Sequence, residues 1–390
     1  MYFVGIDISK YKHDACIIDK SGNLVCNPFS FYNTAEGFQS FLTVLNSLDN
    51  PEEIRIGFEA TSHYSINLKC FLAETHHSFM EINPLLVSEF KKSVSLRRTK
   101  TDTIDSEYIA KWLMTVDYKP CSHEFYHTYV LKSLTRLRES YIQKRSQYKV
   151  SLTNVLDHTF PEFKPFFNNE FSVTALYLLE NYGSADRIAH MNTASYDKIR
   201  KVSRGQFSIE KFIALKKIAS ESVGYSNPIF ATELSSILRL LRSIDAEIQR
   251  LEEEITVIIT EINPKLLSIK GIGPISAAVI YAEFGGDFSK FSSPDKMLAF
   301  AGLEPGRSQS GTKDCEGRMV KRGSTYLRKA LMNCTLPLVK SNMVFAAYYY
   351  KKREEGKAHR VAQSHVVKKL LRVIYTLETR QISFDSALLR

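Results

Sequence analysis

The sequence is poor in the features that mark secreted, zinc-stabilised and membrane-embedded proteins. Its six cysteines form no CxxC pair and no ligand-like cluster with the ten histidines, which argues against a disulfide framework and against structural zinc. No apolar stretch approaches the roughly 18 residues that a membrane span requires. The opening MYFVGIDISK lacks the basic and apolar regions of a signal peptide. We therefore expect a globular, cytoplasmic protein with no membrane partner.

Acidic residues are scarce in the last part of the chain. Residues 301–390 hold 18 Lys and Arg against 7 Asp and Glu, a net charge of +11, whereas the whole chain carries +10. This local excess predicts a polyanionic partner. Ribosome-associated and membrane-surface proteins share the bias, so charge alone does not identify that partner.

The residues that are present describe two or three globular domains. The chain has 390 residues, of which 44% are hydrophobic and 24% charged. In residues 1–118, three short strands are followed by alternating helical and extended segments, and KSGN at 20–23 supplies hairpin-turn chemistry. This order predicts an α/β domain with a mixed sheet.

Long helices dominate the middle of the chain, residues 119–262. Apolar residues from Leu131 to Val155 have the spacing of one long amphipathic helix, and 233–262 form a second. The two are expected to pack as a helical hairpin or against a second subunit. Between them, 166–232 are interpreted as a smaller helical insertion. Residues 263–390 form a third, mainly helical region.

Four acidic residues stand out by position. Asp7 and Glu59 each follow apolar residues in a predicted central strand, where an unpaired charge is costly to bury. Asp102 and Asp105 lie three residues apart on one face of a predicted helix. Taken singly, each fits a structural role, such as stabilising a helix N-terminus. Together they predict a cation site, and their oxygen ligands suit Mg²⁺, which assists phosphoryl transfer.

Two segments have features of nucleic-acid binding. IKGIGPISAAVI has the pattern of a helix-hairpin-helix, whose backbone N–H groups at Gly271 and Gly273 would bind phosphates. An ordinary glycine turn between two core helices fits this segment nearly as well. The other segment precedes the paired aspartates and supplies three cations, Arg97, Arg98 and Lys100.

The segment GRSQSGTKDCEGRMVKRGS is polar, basic and rich in glycine. Its hydroxyl groups fit a phosphate ligand, a nucleophile or a solvated loop. The residue pattern alone selects none of the serines as a nucleophile. The candidate nucleic-acid-binding cations in and just after this segment are Arg307, Lys313, Arg318, Lys321, Arg322 and Arg328.

In this order, GIDISK, GFEATSHY, KTDTIDS, LLSIKGIGPISAAVI and FAGLEPGRSQSGTKDCEGRMVKRGSTYLRKAL resemble the Piv-type DEDD transposases. These are insertion-sequence recombinases and DNA invertases, several of which are directed by a bridge RNA. The resemblance implies a RuvC-like domain with an RNase H fold, a coiled-coil middle region and a C-terminal transposase domain. The departure is the insertion at 166–232, which is longer than the resemblance leads us to expect of compact relatives.

The same resemblance implies roles for individual residues. It assigns the Mg²⁺-binding tetrad to Asp7, Glu59, Asp102 and Asp105. It also assigns the family's SG serine to Ser310, which would attack DNA and form a covalent phosphoserine. The expected partners are double-stranded donor and target DNA, a bridge RNA, and further copies of the chain in a dimer or tetramer that builds a composite site.

Two other functions stay open at this point. In a RuvC-like junction endonuclease, metal-activated water would be the nucleophile and Ser310 would only contact phosphate. In a nucleic-acid-binding scaffold, the acidic site would be degenerate. A protein–DNA adduct separates a transposase from the hydrolytic nuclease. Metal-independent function in the double variant Asp7→Ala, Glu59→Ala would favour the scaffold.

Overall fold

The computed structural model describes residues 1–49, 53–60, 63–94, 102–120, 125–225, 227–310, 313–319 and 321–386. For some of these, including Asp102 and the strands around Ser310, the description covers the backbone only. The chain divides into two compact units. One comprises Met1–Tyr129 with Phe284–Ser292, and the other comprises Val130–Glu283 with Ser293–Arg390. The predicted domain boundaries at residues 118 and 262 stay predictions.

The first unit is built on a mixed sheet, as the sequence predicts, and this sheet has five strands. Its strands are β1 (Tyr2–Ile8), β2 (Lys12–Ile18), β3 (Phe29–Tyr32), β4 (Ile54–Glu59) and β5 (Phe79–Ile82). Their order is β3-β2-β1-β4-β5, with antiparallel pairs among the first three and parallel pairing of β4 with β1 and β5. The helices of this unit are α1 (Ala35–Asn46), α2 (Ile66–Glu74), α3 (Pro84–Val94) and α4 (Asp102–Thr115).

Alternation along the strands gives each face of the sheet its own core. Val4 and Ile6 of β1 pack with α1 and α2 on one face. Phe3 of β1 and Cys16 of β2 pack with Val87 of α3 and the apolar side of α4 on the other. Successive strand residues point to opposite faces. The even-numbered residues Val4 and Ile6 of β1 therefore lie in the first core, and the odd-numbered Phe3 lies in the second.

Two glycines allow α4 to lie directly on the sheet. Gly5 of β1 and Gly57 of β4 are partners in the parallel register. A Cβ at Gly5 would overlap the backbone of Ser106 and Ala110, and one at Gly57 would fall 2.8 Å from the side chain of Leu113. Because neither glycine has a side chain, α4 can pack close to β1 and β4.

We expect Gly5→Ala to lower the free energy of unfolding by about 3 kcal/mol, because the added methyl group must displace helical backbone. Urea unfolding followed by circular dichroism measures this change. Gly273→Ala is a suitable control, because a Cβ at Gly273 meets nothing within 4 Å. Equal stability of the two variants would contradict the close packing of α4.

A buried histidine lies in the core on the opposite face. His13 of β2 is fully buried, and its ring centroid lies 5.3 Å from that of Phe31 and 6.1 Å from that of Phe38. Neither ring nitrogen has a hydrogen-bond partner among the described residues. Burial lowers the pKa of His13 to about 4, and neighbouring Asp14 opposes this only in part. The folded protein therefore keeps this ring neutral.

This histidine should make the protein less stable in mild acid. The unfolded chain binds a proton on His13 below about pH 6.5, whereas the folded chain does so only near pH 4. Stability is therefore lost as the pH falls through this window, by up to about 3 kcal/mol. Urea unfolding of wild type and His13→Leu from pH 7 to 4 tests this, since the variant should lack this loss. Parallel pH profiles would contradict it.

The second unit contains two long antiparallel helices, α5 (Phe125–Thr159) and α11 (Pro228–Ile262). Arg138 contacts Glu252 at 2.5 Å and Arg145 contacts Asp245 at 3.1 Å. Because residue numbers rise along one helix as they fall along the other, the pair runs antiparallel within one chain. This arrangement is the predicted helical hairpin.

The insertion between these helices is helical, as predicted. It contains α6 (Phe163–Phe166), α7 (Val173–Asn181), α8 (Ala185–Ala189), α9 (Thr193–Val202) and α10 (Ile209–Ser220). Its apolar residues share one core with α5 and α11. The two ends of the insertion meet, because the Tyr225 N–H donates to the His158 carbonyl at 2.8 Å.

The remaining elements include one hairpin among helices. They are α12 (Pro274–Phe284), α13 (Pro294–Phe300), β6 (Pro305–Ser310), β7 (Lys313–Met319), α14 (Thr325–Ser341), α15 (Met343–Glu354) and α16 (His359–Arg380). Within the described ranges, no helix is both long and apolar enough to cross a membrane.

Candidate active-site residues

The α4-facing side of the sheet carries two of the predicted acids. Gly5↔Gly57 and Ile6↔Phe58 are register partners, so Asp7 and Glu59 are the next residues of two paired strands. Strand alternation puts both acids on the face of the two glycines, which is the face that α4 covers. The carboxyl ends of the parallel strands β1 and β4 therefore present two acids beside the helix that carries Asp105.

A lysine joins two of these acids. Lys91 of α3 places its Nζ 3.0 Å from Asp105 Oδ1 and 3.8 Å from Glu59 Oε1. Only 12% of the Asp105 side chain and 17% of the Glu59 side chain are exposed. Acids from a strand and a helix thus converge on one cation. Sequence reasoning missed Lys91, which no motif marks.

A further carboxylate lies on the same face. Asp14 of β2 is the register partner of Asp7 and is 5% exposed. It accepts hydrogen bonds from Ser30 Oγ at 2.5 Å and Lys12 Nζ at 3.3 Å. Sequence reasoning also missed Asp14, although an aspartate inside the apolar segment HDACIID is the same kind of signal that marked Asp7.

The carboxylates that are described fit a divalent cation. Their oxygen atoms are the ligands that Mg²⁺ prefers, and the position of Lys91 shows that Glu59 and Asp105 can share one cation. Among the side chains that the structure covers, no three His, Cys, Asp or Glu are grouped to hold a metal ion. The Asp102 side chain lies outside the described part, as do Arg97, Arg98 and Lys100 entirely.

The segment with Ser310 is a β-hairpin. Ser310 ends β6 and is the register partner of Lys313, the first residue of β7. The connecting residues 311 and 312 lie outside the described part. The sequence offered a solvated loop as one interpretation of this segment, whereas the described backbone is two paired strands. Ser310 is therefore at the end of a strand, next to the hairpin connection.

Two glycines close the base of this hairpin. Gly302 has φ +66° and Gly323 has φ +122°, values that favour glycine. A Cβ at Gly302 would overlap the Arg322 carbonyl, and one at Gly323 would overlap the Phe300 carbonyl. The Lys321 N–H also donates to the Gly302 carbonyl at 3.1 Å. The chain thus enters and leaves the hairpin through a close backbone contact.

Arg328 belongs to the same closure. Its guanidinium donates to the Gly323 carbonyl at 3.0 Å and to the Ala301 carbonyl at 3.3 Å. These bonds favour a structural role for Arg328, which the sequence assigned to nucleic-acid binding. Lys321 and Arg322 are exposed. The predicted cations whose side chains lie outside the description are Arg307, Lys313 and Arg318.

The predicted helix-hairpin-helix contains a tight turn. A 3₁₀ helix, Lys265–Ser268, precedes the turn and α12 follows it. Gly271 has φ +110°, and a Cβ there would lie 2.6 Å from Ser341 Oγ of α14. Gly271 is thus required by packing, whereas a Cβ at Gly273 would meet nothing within 4 Å. Phosphate binding at this turn stays a prediction.

Comparison with known proteins identifies the family. A family model of the DEDD IS110 type, described as Transposase, matches residues 4–161. A second, described as Transposase IS116/IS110/IS902 family, matches residues 263–350. The chain is also 22% identical over 393 residues to the mini-circle putative transposase for IS117 of Streptomyces coelicolor, covering 97% of this chain and 94% of that protein. The chain belongs to the IS110 family of transposases.

Two more relatives of this transposase carry functional names. One is the pilin gene-inverting protein of Moraxella bovis, 31% identical over 111 residues, which are 28% of this chain and 33% of that protein. The other is the transposase for insertion sequence element IS1111A of Coxiella burnetii, 28% identical over 212 residues, which are 51% and 57% of the two chains. Membership of the family makes this chain an enzyme of DNA cleavage and transfer, with a DEDD domain of the divalent-metal-dependent type.

The transposase also has a basic face that motif analysis did not single out. From Gly356 to Leu377 the sequence contains no Asp or Glu. Burial and then Lys352, Lys368 and Lys357 lower the pKa of His365, so cations of α15, α16 and their connection converge there. We call this surface the α15–α16 basic face. Its basic residues are Lys351, Lys352, Lys357, His365, Lys368 and Lys369, and Glu355 lies among them, paired with Lys352.

Proposed function

We propose that this transposase cuts and rejoins DNA through a covalent phosphoserine at Ser310, assisted by Mg²⁺ at Asp7, Glu59, Asp102 and Asp105. The observation that carries the acidic site is the convergence of Glu59 and Asp105 on one cation, Lys91. Buried carboxylates are either paired with a cation or coordinate a metal ion, and these two meet at a single cation position.

A RuvC-like, RNase H fold for the first unit is part of the proposal. Its support is the strand order, in which three antiparallel strands continue into two parallel strands through β1 and β4. The acids lie at the carboxyl ends of those two central strands, and α4 covers the same face. This placement gives a nucleic-acid backbone access from the edge where both strands end.

The proposed chemistry has a cleavage step and a rejoining step, and Ser310 takes part in both. Ser310 Oγ attacks a DNA phosphorus atom and gives up its proton to a base. A new O–P bond forms as the P–O bond to the departing sugar breaks, and that sugar oxygen leaves as a hydroxyl group. In the rejoining step a DNA hydroxyl attacks the phosphoserine and restores the serine. When bound, Mg²⁺ would supply positive charge to phosphate oxygens.

The hairpin suits the delivery of a nucleophile. Gly302, Gly323 and Arg328 hold its base through backbone contacts. Lys313, the first residue of β7, is the register partner of Ser310. A nucleophile on a fixed strand loses less orientational freedom on reaching the phosphate than one on a free loop.

The direct test is a search for the protein–DNA adduct. The purified transposase is incubated with Mg²⁺, a DNA that carries the element's junction and the RNA transcribed from its flanking region, and is then denatured. We expect DNA attached to protein, with the linkage mapping to Ser310 by mass spectrometry. Cut DNA with free 5′-phosphate ends and no adduct would instead support the hydrolytic junction endonuclease.

A bridge RNA and a homo-oligomer complete the proposal. Their support is the resemblance to Piv-type recombinases together with the positive charge of residues 301–390. Leaving out the RNA should abolish adduct formation on the matched DNA. Light scattering of the complex should give a mass of two or four chains, and a monomer active without RNA would contradict both parts.

The α15–α16 basic face should bind the phosphate backbone. Lys351, Lys357 and Lys368 are replaced together by Gln. The slope of the logarithm of the DNA association constant against the logarithm of salt concentration should then become shallower by about 1 for each phosphate contact that is lost. Fluorescence anisotropy with duplex DNA at several salt concentrations measures the slope. The matched control is Lys198→Gln, Lys211→Gln, Lys217→Gln, three exposed lysines of the insertion. An unchanged slope in the first triple variant would contradict this assignment.

A further inference from the structure

We propose that Lys91 is a built-in counter-ion of the acidic site, which a divalent metal ion must displace in order to bind. This inference rests on the proposed metal site and adds a residue to it. It makes metal binding an exchange of one cation for another. Lys91 lies between the segments GFEATSHY and KTDTIDS, which carry the resemblance described above.

Lys91 contacts two of the proposed metal ligands at once. Its Nζ is 3.0 Å from Asp105 Oδ1 on α4 and 3.8 Å from Glu59 Oε1 on β4. Lys91 itself lies on α3, so three separate elements meet at this ammonium. Its side chain is 25% exposed, more than either carboxylate that it contacts. Lys91 is thus the most exposed side chain of the three.

The position of α3 is fixed by packing and not by the ion pairs alone. Val87, one helical turn before Lys91, is fully buried in the core that contains Ile109 and Leu113 of α4. The lysine therefore starts from an anchored backbone, while its long side chain can rotate about several bonds. The Lys91 ammonium can therefore move away from the carboxylates while α3 stays folded.

Electrostatics makes the two cations mutually exclusive. Glu59 and Asp105 repel each other unless a positive charge lies between them, and Lys91 supplies that charge. A divalent ion on the same oxygen atoms would lie within a few ångström of the ammonium, where like charges disfavour each other. Lysine suits the exchange better than arginine, because an ammonium is a compact point charge that does not bind a carboxylate in bidentate fashion.

The test is metal affinity without DNA, so the result does not depend on activity. Lys91→Gln should bind Mg²⁺ and Mn²⁺ about tenfold more tightly than wild type, because no charged hydrogen bond has to be broken first. Titration calorimetry gives the affinity. Fluorescence of Trp112, the chain's only tryptophan, reports from α4, on which it is 8% exposed. Lys92→Gln, the exposed neighbour, is the matched control and should bind metal as wild type does.

A second measurement separates competition from general damage to the fold. Lys91→Gln should melt at a lower temperature than wild type without metal, and saturating Mg²⁺ should remove that difference. Lys91→Arg, which keeps the charge and can bind a carboxylate in bidentate fashion, should melt close to wild type without metal and should bind metal no more tightly than wild type. Equal or weaker metal binding by Lys91→Gln would overturn the role of Lys91 while leaving the metal site intact. Failure of both wild type and Lys91→Gln to bind metal would overturn the metal site as well.

Discussion

Replacement of Ser310 by alanine is expected to abolish the protein–DNA adduct and to slow strand cleavage by at least about a thousandfold. The reason is that the proposed mechanism has no alternative nucleophile, since Oγ forms the covalent bond to phosphorus. DNA and RNA binding should be retained, because the hydroxyl is small and the hairpin is held at its base by Gly302, Gly323 and Arg328. Single-turnover cleavage and denaturing gels measure both effects.

Ser308 offers a control on the same strand. It lies two residues before Ser310 on β6 and pairs with Cys315 in the register. Ser308→Ala should cleave at close to the wild-type rate. Cleavage by Ser310→Ala would show that the serine is not the nucleophile, and loss of the adduct in Ser308→Ala alone would move the assignment by two residues.

Substitution of Glu59 by Gln should lower the cleavage rate by about 10²–10⁴-fold. Gln has nearly the same shape, so the sheet is preserved, but the amide removes one negative charge from the site that would hold Mg²⁺. Asp105 contacts Lys91 at 3.0 Å in the wild type, and the variant should keep this ion pair. Cleavage rates over a range of Mg²⁺ concentrations measure the loss, and circular dichroism checks the fold.

Asp14 is the matched acid for this experiment. It lies on the same face of the sheet, opposite Asp7, but Ser30 and Lys12 already bind its carboxylate. Asp14→Asn should therefore change the rate less than about tenfold. A larger effect of Asp14→Asn than of Glu59→Gln would mean that the metal site is centred on a different group of acids.

The sequence was a good guide to the acids on the strands. Asp7 and Glu59 lie in strands, as predicted from single acids within apolar segments, and the mixed sheet was predicted from three hairpin-like strands followed by helix–strand alternation. Asp105 could be placed on one helical face from its spacing. These are local patterns, which can be recognised in a single sequence.

Lys91 and the glycine pair could not be identified in the same way. A lysine on an amphipathic helix is unremarkable until the fold brings it to Glu59, 32 positions earlier in the chain. The packing role of Gly5 and Gly57 becomes apparent only in the structure, where they are register partners beneath α4. Likewise, Arg328 resembles a nucleic-acid contact in a basic segment, and only the structure shows that its donors meet the backbone.

The junction of the helical insertion has a consequence for protein engineering. Because Tyr225 hydrogen-bonds to His158 at 2.8 Å, the insertion leaves and re-enters the long helical pair at nearly one point. Adjoining ends favour the exchange of a segment for another domain. A replacement for region 161–224 would also have to cover the apolar residues of α5 and α11 that share a core with it, and a ligand-sensing domain that did so would be a route to a transposase that responds to a chosen small molecule.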